Sequence, residues 1–182
     1  MTATVICLGP TGAGKTLLLK KLQNKEIVDE TSCTVPTTGS NLITLKFTNE
    51  KTGASKEFIV RELGGAMAPI WHKYYRGIDK VIYTVDASNL CQIAAAGILL
   101  YTILADPQLL HAKVLIVLTK MDLSYRQMRN EALLMLQIKR LQKEVPQIVT
   151  ILEASGVTGE GIDNVEKWIQ GKLPKNKSLV VK

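Results

Sequence analysis

The sequence predicts an α/β fold of three layers, a doubly wound, six-stranded and mostly parallel sheet with one antiparallel strand and helices on both faces. Three observations carry that expectation. Strand-like apolar runs alternate with helix-like stretches along 182 residues, as βαβ units do. Two of those runs, Val81-Ile-Tyr-Thr-Val85 and Val114-Leu-Ile-Val-Leu118, have the nearly continuous apolarity of strands buried on both faces. A glycine-rich phosphate-binding pattern separates the first apolar run from the first helical stretch. Such sheets place their ligand crevice at the carboxyl ends of the strands.

The first strand is expected at 4–8, where Val5-Ile-Cys-Leu8 is apolar, and the first helix at 15–24. Between them, Gly9-Pro-Thr-Gly-Ala-Gly-Lys15-Thr16 meets every fixed position of G-x-x-x-x-G-K-[ST]. Its glycines let the backbone wrap closely around phosphates, while N–H groups and the helix N-terminus face their charge. Gly9, Thr11, Gly12, Ala13, Gly14, Lys15, Thr16 and Leu17 are therefore candidate nucleotide-binding residues. Lys15 is placed to reach the β- and γ-phosphates, and the Thr16 hydroxyl to ligate Mg²⁺.

Strands follow at 41–48 and 57–63, and the polar stretch Asn49-Glu-Lys-Thr-Gly-Ala-Ser55 between them predicts a hairpin loop. A strand at 80–86 leads to a helix at 90–105, whose stripe Ile93, Ala96, Leu100, Ile103 and Leu104 belongs to the core. A strand at 113–119 leads to one helix at 127–143, with Leu133, Leu136, Ile138 and Leu141 as its core set. A last strand at 148–153 and a helix at 161–172 complete the domain. Asp86, ending the fourth strand, is expected to cap a loop rather than act as a base.

Composition narrows the classes. Apolar residues make up 46% and charged residues 21% of the chain, ordinary values for a globular domain. No apolar run approaches the roughly 20 residues that span a bilayer. The early first strand, Thr2 and the ending Leu179-Val-Val-Lys182 predict no signal peptide, N-myristoyl group or prenyl anchor. Cys7, Cys33 and Cys91 show no metal or disulfide spacing and read as free thiols of a reducing cytosol. The net charge of +7 is dispersed except for a basic tail, 174–182, read as flexible. Nothing in the sequence points to nucleic acid as a partner.

Two further motifs choose the base. Thr119-Lys120-Met121-Asp122 follows the fifth strand and resembles the [NT]-K-x-D guanine motif. A carboxylate at Asp122 accepts from both N1–H and the 2-amino group of guanine, a paired donor edge that adenine lacks. Leu123 flanks this loop, and the Lys120 stem can lie along the base plane. After the sixth strand, Glu153-Ala-Ser-Gly-Val-Thr-Gly-Glu-Gly161 resembles the loop whose backbone N–H meets guanine O6, here near Ser155 and Gly156. A nucleotide monophosphate kinase is disfavoured, because no arginine between 76 and 126 could build its lid.

With these motifs in order, Thr34-Val-Pro-Thr37-Thr-Gly39-Ser-Asn41 resembles the first switch of the Arf and Arf-like small GTPases. Glu62-Leu-Gly-Gly65, with Pro69-Ile-Trp71 and Tyr74, resembles their second switch. The resemblance covers about residues 4–172 and is strongest to a divergent Arf-like branch. It implies a P-loop G domain over 1–173 that binds GTP/GDP with Mg²⁺ and works as a monomeric molecular switch in the cytoplasm. Protein effectors and regulators would bind through switch I and switch II, in membrane or ciliary traffic. Thr34 and Gly64 would join the nucleotide site, Thr37 would contact Mg²⁺ and the γ-phosphate, and Gly65 would donate its N–H to that phosphate.

The departures from the family matter as much. Ala66 stands where a glutamine orients the attacking water, and no glutamine occurs from 64 to 90. Intrinsic hydrolysis is therefore expected to be slow, leaving at most a weak GTPase with no catalytic residue assigned. His72 is a candidate substitute, although a helix-surface or packing role suits it better. Glu62 replaces the aspartate that holds Mg²⁺ through water, on a stem one methylene longer. Ser40, Arg61 and Tyr74 stand where relatives carry aromatic effector contacts. The N-terminal amphipathic helix is missing, so membrane contact is expected to be indirect. Loss of the glutamine leaves an alternative, a GTP-locked binding scaffold that does not switch.

Overall fold

The computed structural model describes residues 4–26, 28, 32, 34–48, 53 and 55–173. The chain runs β1 (Val5–Leu8), α1 (Lys15–Gln23), β2 (Ser40–Thr48), β3 (Ser55–Leu63), β4 (Lys80–Asp86), α2 (Leu90–Leu104), β5 (Lys113–Thr119), α3 (Arg126–Met135), α4 (Ile138–Glu144), β6 (Val149–Glu153) and α5 (Ile162–Ile169). Short 3-10 segments cover Gly65–Tyr74 and Pro107–Leu109. The six strands form one sheet in the order β2-β3-β1-β4-β5-β6. Only β2 runs antiparallel, beside β3; β3, β1, β4, β5 and β6 are mutually parallel.

Alternation along the strands divides the core. Ile6 and Leu8 of β1, Val81, Tyr83 and Val85 of β4, and Val114, Ile116 and Leu118 of β5 pack with α2, α3 and α4. Val5, Cys7, Ile82, Leu115 and Val117 face the other way, against α1 and α5. Both faces of β4 and β5 are buried, which is why their sequences read as continuous apolar runs. β1 lies between β3 and β4, so the chain order reverses there, and the loop after β1 opens at such a switch point.

The predicted elements match in number and order with one correction. The expected helix at 127–143 is two helices, α3 and α4. Gln137 adopts a left-handed conformation, φ 49°, which ends one helix and starts the next at a new angle. Leu136 and Ile138 on either side are then both buried, so the apolar spacing continued across a break it could not reveal. The 3-10 segment at Gly65–Tyr74 carries Pro69 inside it and had no counterpart among the expected elements. The proposed hairpin loop, apart from Gly53 and Ser55, lies outside the described residues, as do Cys33 and the 174–182 tail.

Candidate nucleotide-binding site

Four chain segments converge on one cavity of about 250 Å³, lined by Thr11, Gly12, Gly14, Lys15, Thr16, Leu17, Thr34, Val35, Pro36, Thr37, Gly65 and Lys120. The phosphate loop, Gly65 and Lys120 each follow the carboxyl end of a parallel strand. Gly14 starts α1 at φ 75°, a backbone geometry that is strained for any residue with a Cβ. It places Ala13 and Thr119 together: the Thr119 hydroxyl lies 3.0 Å from the Ala13 carbonyl and 3.1 Å from that of Val85.

Lys15 is only 5% exposed. Its ammonium donates to the Gly9 carbonyl at 2.8 Å and the Pro10 carbonyl at 2.9 Å. Burial lowers its pKa from the ordinary lysine value, against smaller raising effects of Cys7 and Glu62. A desolvated ammonium of this kind gains strongly from phosphate oxygens. Beneath it, burial raises the Cys7 thiol to about 12, opposed by Lys15 and aided by Glu62, which keeps that sulfur a neutral packing group.

Thr16, Thr37 and Glu62 meet beside the lysine. The Thr16 hydroxyl donates directly to Glu62 Oε1, and the hydroxyl oxygens of Thr16 and Thr37 are 3.2 Å apart. Asn41 Nδ2 donates to Glu62 Oε2 at 3.3 Å. Glu62 is completely buried, yet no ion pair among the described residues includes it. An all-oxygen set of two hydroxyls and a buried carboxylate suits a hard divalent cation, so these residues fit Mg²⁺.

The two switch-like segments touch at Gly64. Its N–H donates to the Gly39 carbonyl at 2.9 Å, and its own carbonyl accepts the Trp71 indole N–H at 3.0 Å. A Cβ on Gly64 would collide with the Thr37 carbonyl. Only glycine therefore permits this approach.

The base-side loops are ordered by side chains. Ser155 Oγ, fully buried, donates to Asp122 Oδ1 at 2.5 Å and accepts from Val157 and Thr158 N–H at 3.2 and 3.1 Å. That leaves Oδ2 of Asp122 for a ligand. Lys120, at φ 58°, pairs through Nζ with Asp86 Oδ2 at 2.6 Å. Asp86 also accepts from Ser88 N–H at 2.9 Å and Ser88 Oγ at 2.6 Å, so it caps the turn after β4. Gly156 lies against α1, where a Cβ would come within 3.2 Å of Leu17. Leu123 stands exposed at the rim.

Two expected residues lie elsewhere. Ala66 is exposed and offers only a methyl group. His72 is also exposed and is not among the cavity-lining residues; its backbone carbonyl accepts from Gln108 Nε2 at 3.2 Å. Sequence reasoning missed three groups: the Asn41 amide on Glu62, the Gly39 carbonyl and the Trp71 indole. Asn41 is directly opposite Glu62 in the β2–β3 register, a relation that becomes visible only once strand pairing is known. On the outer surface the Arg61 guanidinium lies 5.6 Å from the Tyr74 ring centre.

The profile of the ADP-ribosylation factor family matches residues 1–173. Human ADP-ribosylation factor-like protein 16 is 34% identical over 171 residues, spanning 91% of this chain and 83% of that protein. ADP-ribosylation factor 3 of Arabidopsis thaliana is 34% identical over 176 residues, 94% of this chain and 88% of that protein. The Arl6 (BBS3) small GTPase of Trypanosoma brucei, solved with the bound nucleotide analogue GppNp, superposes with a TM-score of 0.73 at 21% identity, covering 94% of this chain and 96% of that one.

Proposed function

Since this chain belongs to the ADP-ribosylation factor family of small GTPases, we propose that it is a guanine-nucleotide-binding molecular switch that takes GTP or GDP with Mg²⁺ and hydrolyses GTP slowly. The observation that carries this reading is the convergence of Lys15, Thr16, Thr37 and Gly65 on one cavity, with Asp122 held by Ser155 beside it. Lys15 and the N–H groups of residues 11–17 bind the phosphates; Asp122 selects guanine, and the Gly156 N–H meets O6. Thr16, Thr37 and Glu62 hold Mg²⁺, which would neutralise charge between the β- and γ-phosphates. Contacts of Thr37 and Gly65 with the γ-phosphate make the two switches sensitive to which nucleotide is bound.

Ala66 cannot orient the attacking water, and this is the reason for slow turnover. Val35, Leu42 and Ile70 are exposed in or beside the switch segments, Arg61 contacts Tyr74 there, and effectors bind these segments in membrane or ciliary traffic. No helix among the described residues is long and apolar enough to cross a membrane. The protein acts in the cytoplasm as a monomer and meets membranes through partners. The clamp of Gly64 on Gly39 favours a second reading, a GTP-locked scaffold.

The test is the nucleotide released from denatured, purified protein, together with single-turnover hydrolysis of the wild type and Ala66→Gln. Bound guanine nucleotide, slow turnover and at least a tenfold gain in the variant are expected. Adenine nucleotide, or an empty protein that refuses GTP with Mg²⁺, overturns the proposal.

A further inference from the structure

We infer that Asp86 is a positioning residue for the nucleotide: through its ion pair it holds the Lys120 stem as a floor beneath the base. The inference rests on the nucleotide-binding reading above. Lys120 follows β5 directly and lines the cavity, and its Nζ reaches Asp86 Oδ2 at 2.6 Å. Asp86 ends β4 and is the register partner of Thr119. The lysine stem therefore crosses the carboxyl edge of the sheet from β5 to β4, on the side towards β1. That span lies between the base loop after β5, which carries Asp122, and the phosphate loop after β1, which carries Lys15. The methylenes of such a stem suit the apolar face of a base.

The carboxylate divides its work between its two oxygens. Oδ1 accepts from the Ser88 N–H and hydroxyl at 2.9 and 2.6 Å, which is the capping of the turn. Oδ2 turns to Lys120, and capping does not account for it. The Asp86 side chain is 5% exposed and that of Lys120 37%. A buried carboxylate is costly without a cation, so the acid and the lysine hold one another. Lys120 also has φ 58°, unfavourable for a residue with a Cβ, so its direction depends on contacts such as this one. The surrounding backbone is tied without using the charge. The Ala87 N–H donates to the Thr119 carbonyl at 3.2 Å, the Ser124 hydroxyl to the Ala87 carbonyl at 3.0 Å and the Thr119 hydroxyl to the Val85 carbonyl at 3.1 Å. Neutralising Asp86 therefore frees the lysine while the loop after β4 stays joined to the base loop.

The experiment loads the full chain with a fluorescent GDP and Mg²⁺ and times its release into excess unlabelled GDP. Asp86→Asn is expected to speed release about tenfold or more, the loss of one hydrogen bond between charged groups. A rate equal to wild type overturns the inference. Lys120→Ala is expected to speed release by a similar factor, and Asp86→Asn added to it to cause no further increase, because the acid acts through the lysine. A further increase of the full single-variant size overturns positioning and leaves Asp86 a structural acid of its loop. Ser88→Ala, which removes the hydroxyl on Oδ1 and spares Oδ2, is expected to change release by less than about twofold; a change as large as that of Asp86→Asn assigns the effect to the turn and overturns the inference. Should Asp86→Asn not fold, Asp86→Glu, which keeps the charge and moves it by one methylene, carries the comparison: faster release is expected, and an unchanged rate overturns the inference. Failure of the wild type to bind GDP at all overturns the nucleotide reading as well, whereas bound GDP with equal release rates overturns this inference alone.

Discussion

On the proposed reading, Asp122 chooses the base through the direction of two hydrogen bonds. A carboxylate only accepts, and guanine presents two donors on one edge. Asp122→Asn turns one acceptor into a donor, which suits the N1–H and C2 carbonyl of xanthine. Hydrogen bonds to a charged group contribute about 1.5–3 kcal/mol, so this variant is expected to lose roughly 10- to 100-fold in GDP affinity and to gain xanthosine diphosphate binding. Competition against a fluorescent nucleotide measures both changes. Asp122 is proposed from four consecutive residues because a base-binding motif of this kind is local in the chain. Glu62 was visible as a substitution, but its direct contact with Thr16 was not, since one methylene changes reach without changing charge. Asn41 was hidden further, because its role depends on a cross-strand register.

Among the elements, the break between α3 and α4 shows what periodicity measures. Leu133, Leu136, Ile138 and Leu141 are all buried, as their spacing predicted, yet the helix carrying them turns at Gln137. Burial is set by which side chains face the core, and a left-handed residue can redirect the axis while keeping that order. A non-glycine residue in this conformation costs roughly 1–2 kcal/mol, whereas glycine loses about 0.5–1 kcal/mol more backbone freedom on folding. Gln137→Gly is therefore expected to stabilise the protein by about 0.5–1 kcal/mol, read as a higher urea midpoint at unchanged slope. β4 and β5 were the most legible strands because burial on both faces leaves unbroken apolar runs. The Gly65–Tyr74 segment was not, since its conformation depends on Trp71 reaching the Gly64 carbonyl and not on any repeat.

For the molecule as a whole, the phosphate loop, switch segments and base loops all connect to strand ends of one sheet, so ligand binding is coupled to global unfolding. Ligand at 1,000 times its Kd adds about 4 kcal/mol of stability, and for a chain of this size that is about 8–16 °C in melting temperature. GDP with Mg²⁺ is expected to produce such a shift in a thermal scan, and ATP at the same concentration is not. Trp71 is 2% exposed and donates its indole N–H to the carbonyl of Gly64, the residue whose N–H meets the Gly39 carbonyl of the other switch-like segment. The chain has just two tryptophans, at 71 and 168, so Trp168→Phe leaves a single emitter at that junction. Its colour then becomes a built-in gauge: parting of the segments on exchange of a GTP analogue for GDP wets the indole and moves its emission to longer wavelength. A spectrum indifferent to the exchange would identify a protein that stays in one state whichever nucleotide it carries.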